Sequence, residues 1–149
     1  MVDILTKKER SKRMSLIKSK DTKPELILRK ELFRLGYRYG LHNKDLPGHP
    51  DIIMRKHNLV IQVRGCHWHR HGCGYMGNPK SNKKFWMDKF KRNVDRDKKN
   101  DKEIKKLGWK LCVVWECKIK RKSSFNETLL KVIKKIRRLQ KYKIDYQKT

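Results

Sequence analysis

The hydrophobic pattern of the chain predicts helices and short strands in alternation. A first helix is expected over 21–36, where apolar side chains recur at intervals of three and four residues. Thr22 and Glu25 are placed to form a capping box at its start, and Gly36 is suited to end it. The apolar stripe that would face a core consists of Leu28, Leu32 and Leu35.

Shorter apolar runs predict strands. Residues 37–41 alternate in the way that a half-buried strand does. The runs 51–54 and 59–63 are separated by a short polar segment, which is typical of a hairpin. Residues 109–116 are almost continuously apolar, and we therefore expect a fully buried strand there.

Two longer helical patterns complete the chain, at 81–107 and at 125–141, with a basic linker at 118–122 before the second. This order of elements predicts a mixed α/β domain. A chain of 149 residues has little room for a second core, so we expect one domain over 1–149 with a basic N-terminal arm at about 1–20.

The charge balance indicates a polyanionic partner. Lysine and arginine number 42 against 15 aspartate and glutamate residues, which gives a formal net charge of +27. Counterion release on meeting phosphates offsets such self-repulsion. The basic residues are spread along the chain rather than gathered on one amphipathic helix, which favours nucleic acid over an anionic membrane surface. No apolar run is long enough to cross a membrane and no secretory signal is apparent, so an intracellular, cytoplasmic location is expected.

Cysteine and histidine side chains gather in the segment 65–79, which has no regular period. Thiolate and imidazole are the ligands of tetrahedral zinc, and four of them make a closed, structural site. The alternative is a set of ordinary buried cysteines and surface histidines. Cys112 lies within an apolar strand and is predicted to be a core residue. The four candidate zinc ligands are Cys66, His71, Cys73 and Cys117.

Asp51 begins an apolar strand directly after Pro50, in a strongly basic chain. A carboxylate there is suited to hold Mg²⁺ beside a phosphodiester, because Mg²⁺ takes few protein oxygens and completes its shell with water and phosphate. The alternative is an ordinary turn aspartate.

Asp97 continues an apolar helical stripe that includes Trp86, Phe90 and Val94. A carboxylate near a buried stripe needs a partner. A histidine is a suitable partner, because a hydrogen bond from one ring nitrogen to the carboxylate fixes the tautomer and leaves the other nitrogen as a base. A solvated charge paired with neighbouring lysines is the alternative. Glu25 has a structural role as the capping-box residue, and this role would compete with any role in the site.

Several motifs together resemble the very short patch repair (Vsr) endonucleases. The similarity extends over about residues 11–117. Its motifs are Leu46-Pro47-Gly48-His49-Pro50-Asp51, Gly65-Cys66-His67-Trp68-His69-Arg70-His71 with Cys73, Pro79-Lys80 to Phe85-Trp86, Asn93 to Arg96-Asp97, and Gly108-Trp109 with Val114-Trp115-Glu116-Cys117. The resemblance implies the restriction-endonuclease-like fold of the PD-(D/E)xK nucleases. It also implies nicking 5′ to the thymine of a T:G mismatch left by 5-methylcytosine deamination, with catalytic Mg²⁺ and structural Zn²⁺.

The resemblance implies a role for each site residue. Asp51 would be the Mg²⁺ ligand, His69 the base that activates water, and Asp97 the group that orients His69. Glu25 would assist through metal-bound water, and the zinc ligands would be the four residues named above. Trp68 and Trp86 would insert into the duplex beside the mismatch, where unstacking costs least.

This chain departs from the family pattern at two places. His67 stands where the inserted loop usually carries phenylalanine, and it can still stack. The second strand ends in Gln62, Val63 and Arg64 rather than in Thr-His or Val-His. The backbone carbonyl of Val63 can still bind Mg²⁺, the amide oxygen of Gln62 is a possible further ligand, and Arg64 can stabilise charge on the phosphate.

The sequence therefore predicts a Mg²⁺-dependent DNA endonuclease that acts on double-stranded DNA with a T:G mismatch, as a monomer associated with the nucleoid. Two alternatives remain open: a sequence-specific restriction-type endonuclease on the same scaffold, and a zinc-stabilised DNA-binding module without catalysis.

Overall fold

The computed structural model describes residues 6–74 and 77–146, which form a mixed sheet with helices on both faces. The strands are β1 (Gly40–Leu41), β2 (Ile52–Met54), β3 (Leu59–Arg64) and β4 (Lys110–Trp115). The helices are α1 (Lys7–Ser15), α2 (Lys23–Arg34), α3 (Cys66–His69), α4 (Lys83–Lys106), α5 (Glu116–Lys120) and α6 (Lys122–Tyr146).

The four strands lie in the order β1-β2-β3-β4. Strands β1 and β2 are antiparallel, β2 and β3 are antiparallel, and β3 and β4 are parallel. A 3₁₀ turn at Arg55–His57 joins the β2–β3 hairpin, and Asn58 closes it with a left-handed backbone (φ 47°). The parallel pair needs a long crossover, which α3 and α4 provide.

Each face of the sheet has its own apolar core. Ile52 and Ile61 are opposite each other on one face, and Ile53 and Val60 are opposite each other on the other, as the period of two requires. The second face packs against Ile104 of α4. The first face packs against Leu28 and Leu32 of α2, Ile119 of α5, and Leu129, Val132, Ile133 and Ile136 of α6.

These elements confirm the mixed α/β prediction, the 51–63 hairpin and the helices at 21–36 and 81–107. Thr22 donates its backbone N–H to Glu25 Oε2 at 3.4 Å, as the capping box predicts. The helix predicted at 125–141 lies inside α6. No helix of the described ranges, 6–74 and 77–146, has the length and apolar character needed to span a bilayer.

Other predictions about the elements were wrong. The strand expected over 37–41 is reduced to Gly40–Leu41, because Tyr37 and Tyr39 instead pack as loop residues on the core. Strand β4 is not fully buried, since it is an edge strand with one neighbour. The basic linker at 118–122 is occupied by α5 and the start of α6, and the irregular segment begins with the helical turn α3.

The expected N-terminal arm at 1–20 contains α1, which Thr6 and Glu9 cap, and its first five residues lie outside the described residues. The single domain over 1–149 stays a prediction.

Candidate active site and cysteine cluster

A cleft of about 750 Å³ opens where β2 begins and β3 ends. These two points meet because the strands are antiparallel, with Ile52 opposite Ile61. Helix α4 lies along the same cleft and contributes Asp97. The predicted site residues that line this cleft are Asp51, Gln62, Val63, Arg64, Trp68, His69 and Asp97.

The carboxylate of Asp51 is held at the start of β2. Its Oδ2 accepts the backbone N–H of Val63 at 2.7 Å. Burial, together with the smaller effect of the charge of Glu25, raises the pKa of Asp51 to about 6 against the opposing effects of the Val63 hydrogen bond and of His42 and His69. The charged carboxylate is therefore disfavoured in the folded protein, and a cation beside it would relieve that cost.

The raised pKa predicts that Asp51→Asn stabilises the fold. The shift from 3.8 to about 6 corresponds to about 3 kcal/mol of penalty on the charged form. Because the folded pKa lies above the unfolded one, the penalty is complete above pH 6 and disappears as the pH falls from 6 to 3.8. We expect the variant to gain about 1–3 kcal/mol in free energy of unfolding at pH 8 and nothing at pH 3.5, by urea denaturation in magnesium-free buffer.

Asp45→Asn, which changes an exposed carboxylate in the preceding loop, is the control and should change stability little at either pH. Equal stability of wild type and Asp51→Asn at pH 8 would show that Asp51 carries no such penalty.

His69 and Asp97 form a direct pair across the cleft wall. His69 is the last residue of α3. Its Nδ1 contacts Oδ2 of Asp97, which lies near the middle of α4. The two side chains are 21% and 13% exposed. An Asp that accepts from Nδ1–H fixes the tautomer and leaves Nε2 as the basic nitrogen. The structure thus brings the imidazole and the carboxylate together, as the pattern on α4 predicted, and the imidazole is not part of the cysteine cluster.

Arg64 ends β3 with its guanidinium between two oxygens. Its Nη2 lies 2.5 Å from Oε1 of Gln62 and 2.5 Å from Oδ1 of Asp101. Only 8% of Gln62 and 8% of Arg64 is exposed. The amide oxygen of Gln62, which the sequence offers as a Mg²⁺ ligand, is therefore already bonded to the guanidinium of Arg64.

Glu25 is almost completely buried beside the cleft, with 1% of its surface exposed. Besides capping α2, its Oε1 lies 3.0 Å from Nη1 of Arg29 and 3.3 Å from Nε2 of His42. Asp21 joins the group, because its Oδ1 lies 2.6 Å from the same Arg29 nitrogen and 3.4 Å from His42 Nε2. The Glu25 carboxylate thus contacts Arg29 and His42 in addition to the backbone N–H of Thr22 that it accepts in the capping box.

The three residues predicted to insert into DNA form one aromatic cluster around Phe90. The His67 ring meets Trp68 and Phe90 edge-on, with centroids 5.1 Å and 5.0 Å apart. Trp68 lies 6.1 Å from Trp86, and Lys89 Nζ lies 5.5 Å above the Trp68 ring. Burial, and then the nearby charge of Arg70, lowers the pKa of His67, so its ring is neutral at physiological pH.

The four predicted zinc ligands converge at the end of β4. One ligand atom from each of Cys66, His71, Cys73 and Cys117 lies within 4.8 Å of all the others. His71 Nδ1 is 3.7 Å from Cys66 Sγ and 3.5 Å from Cys117 Sγ, and its ring stacks on Trp115. Cys112 lies outside this group and packs against the core, as predicted.

Comparison with known proteins places the chain in a family. A family model described as DNA mismatch endonuclease Vsr matches residues 2–75. The type II nicking enzyme V.NmeAIP of Neisseria meningitidis serogroup A is 43% identical over 137 residues, which cover 92% of this chain and 98% of that protein. The DNA mismatch endonuclease Vsr of Escherichia coli K12 is 33% identical over 130 residues, covering 87% and 83%.

The chain belongs to the Vsr family. It is accordingly a DNA endonuclease, a hydrolase of phosphodiester bonds, and its substrate is DNA. A further relative, the type II nicking enzyme V.XorIIP of Xanthomonas oryzae pv. oryzae, is 41% identical over 119 residues, which cover 80% of this chain and 88% of that protein. The predictions of a nuclease, of DNA as partner and of a Vsr resemblance are confirmed.

Two groups of residues in this Vsr family chain were not predicted as parts of the site. Asp21, Arg29 and His42 surround Glu25: Asp21 and Arg29 lie four residues before and after it, whereas His42 comes from a loop beyond α2 that no local pattern connects to Glu25. Asp101 follows Asp97 on α4 at helical spacing, but its partner Arg64 is 37 residues away in sequence. The periodicity of α4 was the one signal that pointed to Asp101.

Proposed function

We propose that this chain nicks one strand of duplex DNA on the 5′ side of the thymine in a T:G mismatch that arises by deamination of 5-methylcytosine. The observation that carries the proposal is the His69–Asp97 pair, which lines the same cleft as the half-buried carboxylate of Asp51. A base with a fixed tautomer can deprotonate the attacking water, and a carboxylate that favours a bound cation can hold the metal in metal-assisted phosphodiester hydrolysis.

The donor set around Asp51 fits Mg²⁺. A carboxylate offers about four lone-pair sites, so the single bond from Val63 leaves capacity for a cation. Asp51 and the backbone carbonyl of Val63 would hold Mg²⁺, and the nearby charge of Glu25 adds to the attraction. Gln62 is left out of this set, because its amide oxygen is bonded to Arg64. When bound, Mg²⁺ supplies Lewis-acid stabilisation of charge on the phosphate.

The residues of the chain perform the remaining steps. Asp97 keeps the proton of His69 on Nδ1, and Nε2 removes a proton from the attacking water. Glu25 assists by orienting water near Asp51, and Arg64 stabilises negative charge on the phosphate. Attack by one site on one strand needs only one protein copy, so we propose a monomer.

The cysteine cluster fits Zn²⁺. Tetrahedral zinc with bonds of about 2.3 Å to sulfur and about 2.0 Å to nitrogen places those two ligand atoms about 3.5 Å apart. The observed separations of 3.5 Å and 3.7 Å match this value. Burial and the neighbouring thiols raise the pKa of Cys66 to about 12, and a cation among them would favour the thiolate instead. We propose that Cys66, His71, Cys73 and Cys117 hold a structural Zn²⁺ that fixes the 65–79 segment on the sheet.

The aromatic cluster would supply the mismatch preference. Trp68, Trp86 and the neutral ring of His67 would insert beside the mismatched pair, where the unstacking cost is smallest. The sheet, with its catalytic groups at one end of β2 and β3, supports the restriction-endonuclease-like fold of the PD-(D/E)xK nucleases.

A cleavage assay on a set of duplexes tests the proposal. Purified protein and Mg²⁺ are incubated with T:G duplexes whose flanking base pairs are randomised, and with T:A duplexes of the same composition. We expect one cut, 5′ to the thymine of the T:G duplexes, with little cutting of T:A duplexes. Asp51→Ala should abolish the cut, because it removes the main Mg²⁺ ligand.

The two alternative functions give different results in this assay. Equal cutting of T:G and T:A duplexes would favour a sequence-specific restriction-type endonuclease. Salt-dependent binding without cleavage of any duplex would favour a non-catalytic DNA-binding module.

A further inference from the structure

Helix α4 presents two carboxylates one turn apart, and each contacts a cationic or basic side chain, one at the end of β3 and the other at the end of α3. Asp97 and Asp101 are four residues apart and therefore share one face of the helix. Asp97 contacts His69, and Asp101 contacts Arg64. Both contacts join α4 to the short segment 64–69, which runs from the last residue of β3 to the last residue of α3.

We infer that Asp101 is a positioning residue, which holds the guanidinium of Arg64 toward the phosphate in the cleft. The inference deepens the proposed function and rests on it. Arg64 lines the cleft, and Asp101 contacts it through Oδ1 at 2.5 Å. The side chains of Arg64 and Asp101 are 10% and 21% exposed, so solvent screens this pair less than a surface ion pair.

The hydrogen bonds of the Arg64 guanidinium show which of its nitrogens are already in use. Its Nη2 carries two N–H groups, and this nitrogen is the one bonded to both Gln62 and Asp101. The remaining donors are the two N–H groups of Nη1 and the single N–H of Nε, which lie on different edges of the guanidinium, so a phosphate in the cleft can accept from one of these nitrogens. Gln62 and Asp101 thus fix the plane of the guanidinium, and with it the direction of the remaining N–H groups, before DNA arrives.

Positioning of this kind affects the rate of the chemical step more than DNA affinity. A cation that is already oriented costs no reorganisation when charge develops on the phosphate, and a displacement of about 1 Å can cost about 100-fold in rate. Asp101 also supplies the counter-charge that a largely buried arginine needs in the absence of DNA. It acts through Arg64 and does not itself touch substrate.

A double-mutant cycle on the rate of single-turnover cleavage tests this inference. We expect Arg64→Ala to slow cleavage of bound T:G duplex about 100-fold, Asp101→Ala about 10- to 100-fold, and Asp101→Asn less, because asparagine keeps an acceptor oxygen. The dissociation constant for DNA should change less than about threefold in the Asp101 variants. In the Arg64→Ala background, Asp101→Ala should have no further effect on the rate.

Asp95→Asn, which changes an exposed carboxylate on the same helix, is the matched control and should cleave at the wild-type rate. Thermal melting of each variant identifies any loss of folding, and Asp101→Asn provides the comparison if Asp101→Ala unfolds. Additive rate effects of Asp101→Ala and Arg64→Ala would overturn the inference.

A second measurement separates this inference from the proposed function. In ¹⁵N-arginine-labelled protein, slow rotation of the Arg64 guanidinium should give resolved Nη signals, which Asp101→Ala should collapse and Asp95→Asn should leave unchanged. If wild-type protein cleaves no duplex, the proposed function fails, and these signals alone decide whether Asp101 orders Arg64. Unchanged Arg64 signals in Asp101→Ala would overturn the inference whatever the nuclease activity.

Discussion

Replacing His69 by glutamine should slow DNA nicking by about 10²- to 10⁴-fold, the range that a positioned general base contributes. Glutamine has a similar reach and can still hydrogen-bond to Asp97, but its amide cannot accept a proton from water. The loss should therefore appear in the single-turnover rate at saturating enzyme, while DNA binding changes little.

Asp97→Asn provides the companion result. An asparagine side chain no longer holds the Nδ1 proton by a charged acceptor and allows the wrong tautomer of His69, so we expect a smaller but clear loss, of about 10- to 1000-fold. Asp95→Asn, two residues earlier on the exposed face of α4, should cleave at the wild-type rate. If His69→Gln retained more than about a tenth of the wild-type rate, another group would have to be the base.

Removing one ligand of the cysteine cluster should have the largest effect on stability. In Cys117→Ser the chain should lose its bound zinc, and with it several kcal/mol of the free energy of unfolding, because structural zinc binding is coupled to folding. Cys117 is buried in α5, directly after β4, and clusters with Cys66, His71 and Cys73, so the loss should also release residues 66–73 from the end of the sheet. Metal analysis by mass spectrometry and urea denaturation measure the two effects.

Cys112→Ser is the control for the loss of a thiol as such. Cys112 packs against the core outside the cluster, so this variant should keep one zinc per chain and lose only about 1 kcal/mol. Wild-type protein that carries no zinc, or Cys117→Ser that keeps its zinc, would contradict a zinc site built from these four residues.

The elements that could be predicted from the sequence are those whose own residues determine them. Helix α2 has its cap and stripe within one segment, and the β2–β3 hairpin has its two apolar runs close together. Strand β4 was expected to be buried on both sides because it is apolar, but its place at the edge of the sheet depends on the whole topology. The basic residues of the segment 118–122 predicted a linker, whereas the segment is helical and buries Ile119 in the core.

The candidate site was predictable to the same extent. Cysteine and histidine have distinctive side chains, so their chemistry predicted the four residues that the fold brings together in the cluster. The neighbours of Glu25 and Arg64 are ordinary charged residues, which occur throughout a chain of net charge +27. Their role depends on which of many similar side chains the fold brings together, as it does for His42 with Glu25 and Asp101 with Arg64.

We propose that Asp51 binds a divalent cation that also contacts the phosphate 5′ to the mismatched thymine. A sulfur substitution at that phosphate tests it directly, because Mg²⁺ binds oxygen far better than sulfur and Mn²⁺ accepts both. For one of the two diastereomers, we predict that wild-type protein cleaves at least about tenfold more slowly in Mg²⁺ and recovers most of its rate in Mn²⁺, whereas Asp51→Asn cleaves in neither. Equal slowing in both metals, or cleavage by Asp51→Asn at the wild-type rate, would contradict the account.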